Sequence, residues 1–128
     1  MEYKSSYDKD NNILTVTYTG DISSKSDIDY IVSKNTSTLK EIPKKVWFIV
    51  NLSELKISNP DLIKYYAQEN SENMLNYTFA AVTYTTKAMQ RVLTHMYNIA
   101  SGRKRVPFFK TESEAVEHIL ELQKKEAI

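Results

Sequence analysis

Residues 45–50, KVWFIV, are almost uninterruptedly apolar, and the segments on both sides repeat their apolar residues at helical intervals. A strand of that composition needs cover on both faces, which is the pattern of a mostly parallel sheet. Before it, Ile28, Ile31, Val32 and Leu39 follow a largely helical spacing from Ser26 until Pro43 stops the helix. After it, Asn59 is placed to cap a second helix and Pro60 to open it, with Leu62, Ile63, Tyr66, Ala67 and Met74 as the inward stripe. YTFAAVTY (77–84) reads as the next strand. Residues 86–101 read as a third helix, with Met89, Val92, Leu93, Met96 and Ala100 inward and Gly102 as its stop. VPFF (106–109) is a short strand. Thr111 and Glu114 have capping-box spacing ahead of a last helix that buries Ala115, Val116, Ile119 and Leu122.

The chain opens with a hairpin. Residues 1–7 alternate weakly, DKDNN (8–12) is rich in residues that tolerate turns, and ILTVTYTG (13–20) is a β-branched and aromatic strand. Strands joined that tightly are antiparallel. The order is therefore β-β-α-β-α-β-α-β-α. The expected fold is a single α/β domain over residues 1–128. Its one mixed five-stranded sheet is mostly parallel with an antiparallel N-terminal edge hairpin, and it carries four helices and right-handed crossovers.

Charge and composition narrow the chemistry. Seventeen basic and sixteen acidic side chains leave a net charge of +1, so no global field draws the chain to nucleic acid or anionic membrane. The absence of cysteine removes disulfides, thiolate metal sites and cysteine nucleophiles. The first twelve residues have neither the basic flank nor the apolar core of a signal peptide, and no apolar run approaches the roughly 20 residues of a membrane-spanning helix. The expectation is a soluble cytoplasmic protein.

Three stretches, ILTVTYTGDIS before the first helix, VNLSEL closing the central strand and FFKTESEAVEHIL at the end, together with the element order, resemble the STAS domain of bacterial anti-sigma-factor antagonists and the related SpoIIAA-like family. The resemblance spans essentially the whole chain. In true antagonists the loop after the central strand carries the phosphorylated serine, in a pattern close to Asp-Leu-Ser, four variable residues, then Asp-Ser-Ser/Thr-Gly. Here Leu52 and Ser53 agree, Asn51 replaces the first acid, Pro60 and Asp61 stand where the serines would be, and the glycine is missing. The resemblance thus implies a regulatory or interaction module without the phosphoserine switch, in which the Asp61 carboxylate could mimic a locked phosphorylated state. Apart from the resemblance, Ser58 and Asp61 are ordinary helix-start residues, and an acid in the first turn is favoured by the helix dipole by up to about 1 kcal/mol.

Three groups of residues are candidates for function. The first is the loop Ser53, Glu54, Ser58, Asn59 and Asp61, at the carboxyl end of a parallel strand, where ligands and partners gather. The second is a basic group, Lys87, Arg91 and His95 at four-residue intervals with Arg103, Lys104 and Arg105 in the following turn. A solvated patch complementing a helix C-terminus explains it most simply; an acidic partner or anionic ligand comes second, and nucleic acid a distant third because no aromatic residues interleave as a stacking platform. The third is Tyr66, Met74, Tyr84, Met89, Met96 and Tyr97, a composition that suits either an irregular core or the wall of an apolar pocket.

Catalysis finds no constellation. His95 and His118 lie on different helices, His118 pairs in spacing with Glu114, no further metal ligand converges, and no serine sits in a nucleophile elbow. The expected role is that of a non-catalytic regulatory or protein-interaction module with no cofactor. The alternative is a carrier or sensor of a small apolar ligand or lipid held between the sheet and helices two and three; the SpoIIAA-like resemblance also implies such carriage. The edge strand offers a route to a homodimer, although Lys4 and the strand's short length work against it.

Overall fold

The computed structural model of the chain describes residues 1–57, 59, 61–85 and 107–126, without the side chains of residues 71, 72 and 74. Its elements are β1 (Glu2–Asp8), β2 (Ile13–Ile22), α1 (Lys25–Glu41), β3 (Val46–Asn51), β4 (Leu55–Ile57), α2 (Asp61–Tyr77), β5 (Thr78–Tyr84), β6 (Phe108–Phe109) and α3 (Glu112–Glu126). The third helix expected over residues 86–101 lies outside the described residues.

One sheet runs in the order β1-β2-β3-β5-β6, with β4 pairing β2 off this path. The β1–β2 hairpin is antiparallel, and every other pairing is parallel. The sheet therefore has six strands among the described residues, not the expected five. The sixth is Leu55–Ile57, three residues inside what reads as a polar turn. A strand that short has no periodicity to detect, and it is fixed by its partner β2.

The hairpin turn closes through Asn12, whose φ of 57° is left-handed. Asparagine tolerates that conformation, and here its side chain is also used twice. Its Oδ1 accepts from the Tyr7 hydroxyl at 2.6 Å, and its Nδ2 donates to the Lys45 carbonyl at 2.8 Å. Helix α1 begins one residue before the expected Ser26, because Ser24 caps it. The Ser24 side chain accepts from the Asp27 N–H while the Asp27 carboxylate accepts from the Ser24 N–H, a reciprocal capping box.

Strand β3 is buried from Val46 to Val50, as its unbroken apolar run requires. Its even residues Val46, Phe48 and Val50 meet Leu14, Val16 and Tyr18 of β2 and Ile28, Ile31 and Leu39 of α1, with Leu62 of α2. Its odd residues Trp47 and Ile49 face Ala115 and Ile119 of α3, with Val82 of β5. Helices α1 and α2 thus cover one face and α3 the other.

Beneath α1 the Tyr18 hydroxyl is buried, and burial pushes its pKa well above the usual value of 10.0, with Tyr66 and Tyr3 adding to the effect. The folded state then holds this proton more tightly than the unfolded chain. The resulting stability is fully present below pH 10 and is lost as the pH rises through the folded value. Chemical denaturation from pH 9 to 11 should show stability falling above pH 10, and Tyr18→Phe should flatten that fall. A fall of equal slope in both proteins would show that Tyr18 is not the responsible group.

Candidate functional site

The carboxyl ends of β2, β3 and β5 meet at one end of the sheet, and there the central strand is interrupted. Three steps along β2, from Thr17 to Gly20, match four steps along its partner, from Asn51 to Leu55. One extra residue is accommodated at Leu52–Glu54, so β4 resumes the line of β3 after a bulge. The bulge is held on every side. The Leu52 N–H donates to the Tyr84 carbonyl at 3.0 Å, the Ser53 N–H to Asn51 Oδ1 at 3.0 Å, and the Leu55 N–H to the Leu52 carbonyl at 3.2 Å. The Gly20 N–H donates to the Glu54 carbonyl at 3.1 Å. Gly20 has φ +134°, and a Cβ there would lie 3.2 Å from the Met1 Cα, so the contact requires glycine.

Of the expected loop residues, Ser53 is half-buried and Glu54 exposed on this bulge, while Asn59 and Asp61 are exposed where α2 begins. The Asn59 side chain accepts from the Asp61 N–H at 3.0 Å, which confirms Asn59 as the cap. Ser58 and Pro60 lie outside the described residues. One turn further along α2, the Tyr65 hydroxyl donates to Asp29 of α1 at 2.5 Å, and the Lys25 ammonium sits 5.1 Å from the centre of the Tyr65 ring. The Asp29 carboxylate, by accepting that proton, pushes the Tyr65 hydroxyl up to about 12. This bridge joins the N-terminal parts of α1 and α2.

The basic group Lys87, Arg91, His95, Arg103, Lys104 and Arg105 lies outside the described residues, as do Met89, Met96 and Tyr97 and the side chain of Met74. The two remaining residues of the expected pocket do not come together. Tyr66 packs with the α1–α2 face of the sheet and Tyr84 with the α3 face, so the sheet itself separates them. Periodicity places a residue inward, but it does not say on which side of a two-sided sheet. The His118 ring packs at a tilt of 43° against Phe109, with ring centres 5.0 Å apart. Among the described residues, no three acidic or histidine side chains are grouped to hold a metal ion. No described helix is long and apolar enough to cross a membrane.

The sequence reading missed a polar seam between α1 and α2. The Tyr18 hydroxyl donates to Asn35 Oδ1. Asn35 Nδ2 and Asn73 Nδ2 both donate to Asn70 Oδ1 at 3.2 Å, and the Thr36 hydroxyl lies 3.0 Å from Asn73 Oδ1. All three asparagines are buried. The signal was available in the spacing: Ile28, Ile31 and Leu39 leave a gap of one helical position, and Asn35 fills it.

Searches for related proteins return little at the level of sequence. No family model matches the chain, and no curated protein matches it. Among solved structures, the chain is similar to an uncharacterised DUF3478-family protein from Shewanella loihica PV-4. The two are 14% identical, the match covers 92% of each chain, and the TM-score is 0.58. That structure is described as having a SpoIIAA-like fold, in agreement with the resemblance carried by the element order and the three quoted stretches. The six strands with an antiparallel edge hairpin, the two helices on one face and the one on the other that the described residues form make up a SpoIIAA-like fold.

Proposed function

We propose that this chain is a non-catalytic regulatory or protein-interaction module whose contact surface is the bulge Leu52–Glu54, strand β4 and the start of α2. The observation that supports this reading is where the backbone hydrogen bonds of the bulge go. A loop that cradles phosphate or another anion points free N–H groups at it. Here the N–H groups of Leu52, Ser53 and Leu55 are each spent on a partner within the protein. What remains for recognition is a set of side chains on a braced frame: Ser53, Glu54, Lys56, Asn59 and Asp61. Such a surface suits a folded protein partner, which reads shape and charge and gains from a frame already ordered. Asp61 supplies a fixed negative charge beside the bulge, where antagonists of the resembling family place a phosphate.

The carrier reading requires an apolar space between the sheet and the second and third helices of the chain, and the third, over residues 86–101, lies outside the described residues; the described part of that layer lies under α1 and α2. That part is occupied by Leu14, Tyr18, Phe48, Ile28, Ile31 and Leu39, each almost wholly buried. A ligand held there would have to displace these side chains, which favours the interaction reading for this part of the fold.

The test places a photo-crosslinking side chain at Glu54 and, in a second protein, at Lys124 on the far part of α3. The expected result is a discrete adduct from position 54 in extract of the native cell. It should be absent from position 124 and lost when Lys56→Glu is added. Adducts of the same pattern from both positions, or an adduct that ignores Lys56→Glu, would remove this surface from consideration.

A further inference from the structure

The two edges of the sheet are unequal. Among the described residues, strand β6 presents two residues, whereas β1 presents seven, all paired to β2 on one side only. Edges of this kind are templates for a further strand. Strand β1 is firmly seated: Tyr3 and Tyr7 turn inward onto the core, the Tyr3 hydroxyl lies 2.7 Å from Thr38 Oγ1, and Tyr7 binds Asn12. Thr38 gives its own proton to the Lys34 carbonyl at 2.9 Å, so Tyr3 is the donor in the first bond. Glu2, Lys4, Ser5, Ser6 and Asp8 are exposed. The edge is thus ordered before any partner arrives, which lowers the entropy lost on pairing.

We infer that β1 pairs antiparallel with β1 of a second copy, in the register centred on Ser6, where Lys4 faces Asp8 of the second copy. Charge decides the register. A two-fold axis through the sheet keeps each residue on its own face, so the axis must pass through one residue, and each choice can be checked. Centring on Ser5 gives the longest overlap but sets Glu2 against Asp8 twice. Centring on Lys4 sets its ammonium against itself. Centring on Tyr3 pairs Glu2 with Lys4 but runs past the end of the strand at Met1. Centring on Ser6 pairs Lys4 with Asp8 twice, Ser5 with Tyr7 twice and Ser6 with its own copy, and all five residues lie within β1.

The Asp8 carboxylate is also prepared for this role. Its Oδ1 accepts from the Asn11 N–H at 3.2 Å and its Oδ2 from Asn11 Nδ2 at 2.8 Å. Those bonds hold the group in place and keep it charged below the usual carboxylate range, while its exposed side stays open to an ammonium. An isologous pairing closes on itself, so the edge is consumed in a dimer and does not propagate into a fibre.

Sedimentation velocity over a concentration series tests the inference. The wild type should show a monomer–dimer equilibrium. Lys4→Glu, on an exposed position, should weaken the dimer roughly ten-fold, because two attractive cross-strand pairs become two repulsive ones. Adding Asp8→Lys to Lys4→Glu should restore it. If Asp8→Lys lowers the melting temperature through loss of the Asn11 bonds, Asp8→Asn serves instead and should weaken the wild-type dimer by a smaller factor. A wild type that stays monomeric up to its solubility limit overturns the inference, and so does a dimer indifferent to Lys4→Glu. Rescue of Lys4→Glu by Glu2→Lys, and not by Asp8→Lys, would overturn the Ser6 register in favour of the Tyr3 one.

Discussion

Replacing Phe48 by alanine should remove about 3–5 kcal/mol of stability. Phe48 is fully buried on the face of β3 that meets α1 and α2. Its β-sheet neighbours are Leu14 on one side and Ala81 on the other. With so small a residue as Ala81 beside it, the surrounding chains have little reach to refill the space, so most of the cavity should persist. A domain of this length has about 5–15 kcal/mol in total, so the variant should be folded but close to the edge at growth temperature. Urea denaturation should show a lower midpoint with an unchanged slope. Ile49→Val, on the opposite face of the same strand, should cost only about 1 kcal/mol and serves as the comparison. A loss below about 1.5 kcal/mol for Phe48→Ala would mean that the layer under α1 and α2 collapses easily, and the objection to a carrier function would fall with it.

That two-sided burial was legible because it leaves a mark on every residue of β3: no position from Val46 to Val50 can be polar if both faces are covered. The hairpin was legible for a similar reason, since DKDNN offers a residue able to take a left-handed conformation, and Asn12 takes it. Strand β4 was not legible. Leu55, Lys56 and Ile57 are too few to show a period, and their β geometry comes from pairing with Gly20, Asp21 and Ile22, more than thirty residues away in the chain. Non-local pairing of that kind is absent from any window of local sequence.

The candidate site divides along the same line. The helix-start residues Asn59 and Asp61 follow from local capping chemistry and stand where they were expected. The bulge that orients Ser53 and Glu54 depends on Tyr84 and Gly20, two other strands, and so required the assembled sheet. The grouping of Tyr66 with Tyr84 failed for the complementary reason. Both are half-buried tyrosines beside the sheet, but burial alone does not distinguish its two faces, and they lie on opposite ones.

Asn35→Ala should cost about 2–4 kcal/mol, more than its modest size suggests, because the residue it deserts is worse off than the space it leaves. The Tyr18 hydroxyl is fully buried and donates to Asn35. Without that acceptor it pays the desolvation of an unsatisfied group, about 1–3 kcal/mol, in addition to the lost packing. Asn70 is less exposed to the change, since its Oδ1 still receives Asn73. The asymmetry makes a sharper experiment available. Tyr18→Phe alone removes the donor and leaves Asn35 Oδ1 without one, whereas Tyr18→Phe with Asn35→Leu removes both ends of the bond and keeps the volume. If the seam is held by this bond, the double variant should be more stable than the sum of its single variants predicts, by about 1–2 kcal/mol. Strict additivity would mean that Tyr18 and Asn35 are neighbours without being partners. The result also bears on function. Three asparagines between α1 and α2 are a weaker adhesive than leucines but a more selective one, because a sliding helix would leave buried amides unpaired. A coupled seam therefore fixes α2 in register on α1, and with it the position of Asn59 and Asp61 relative to the bulge.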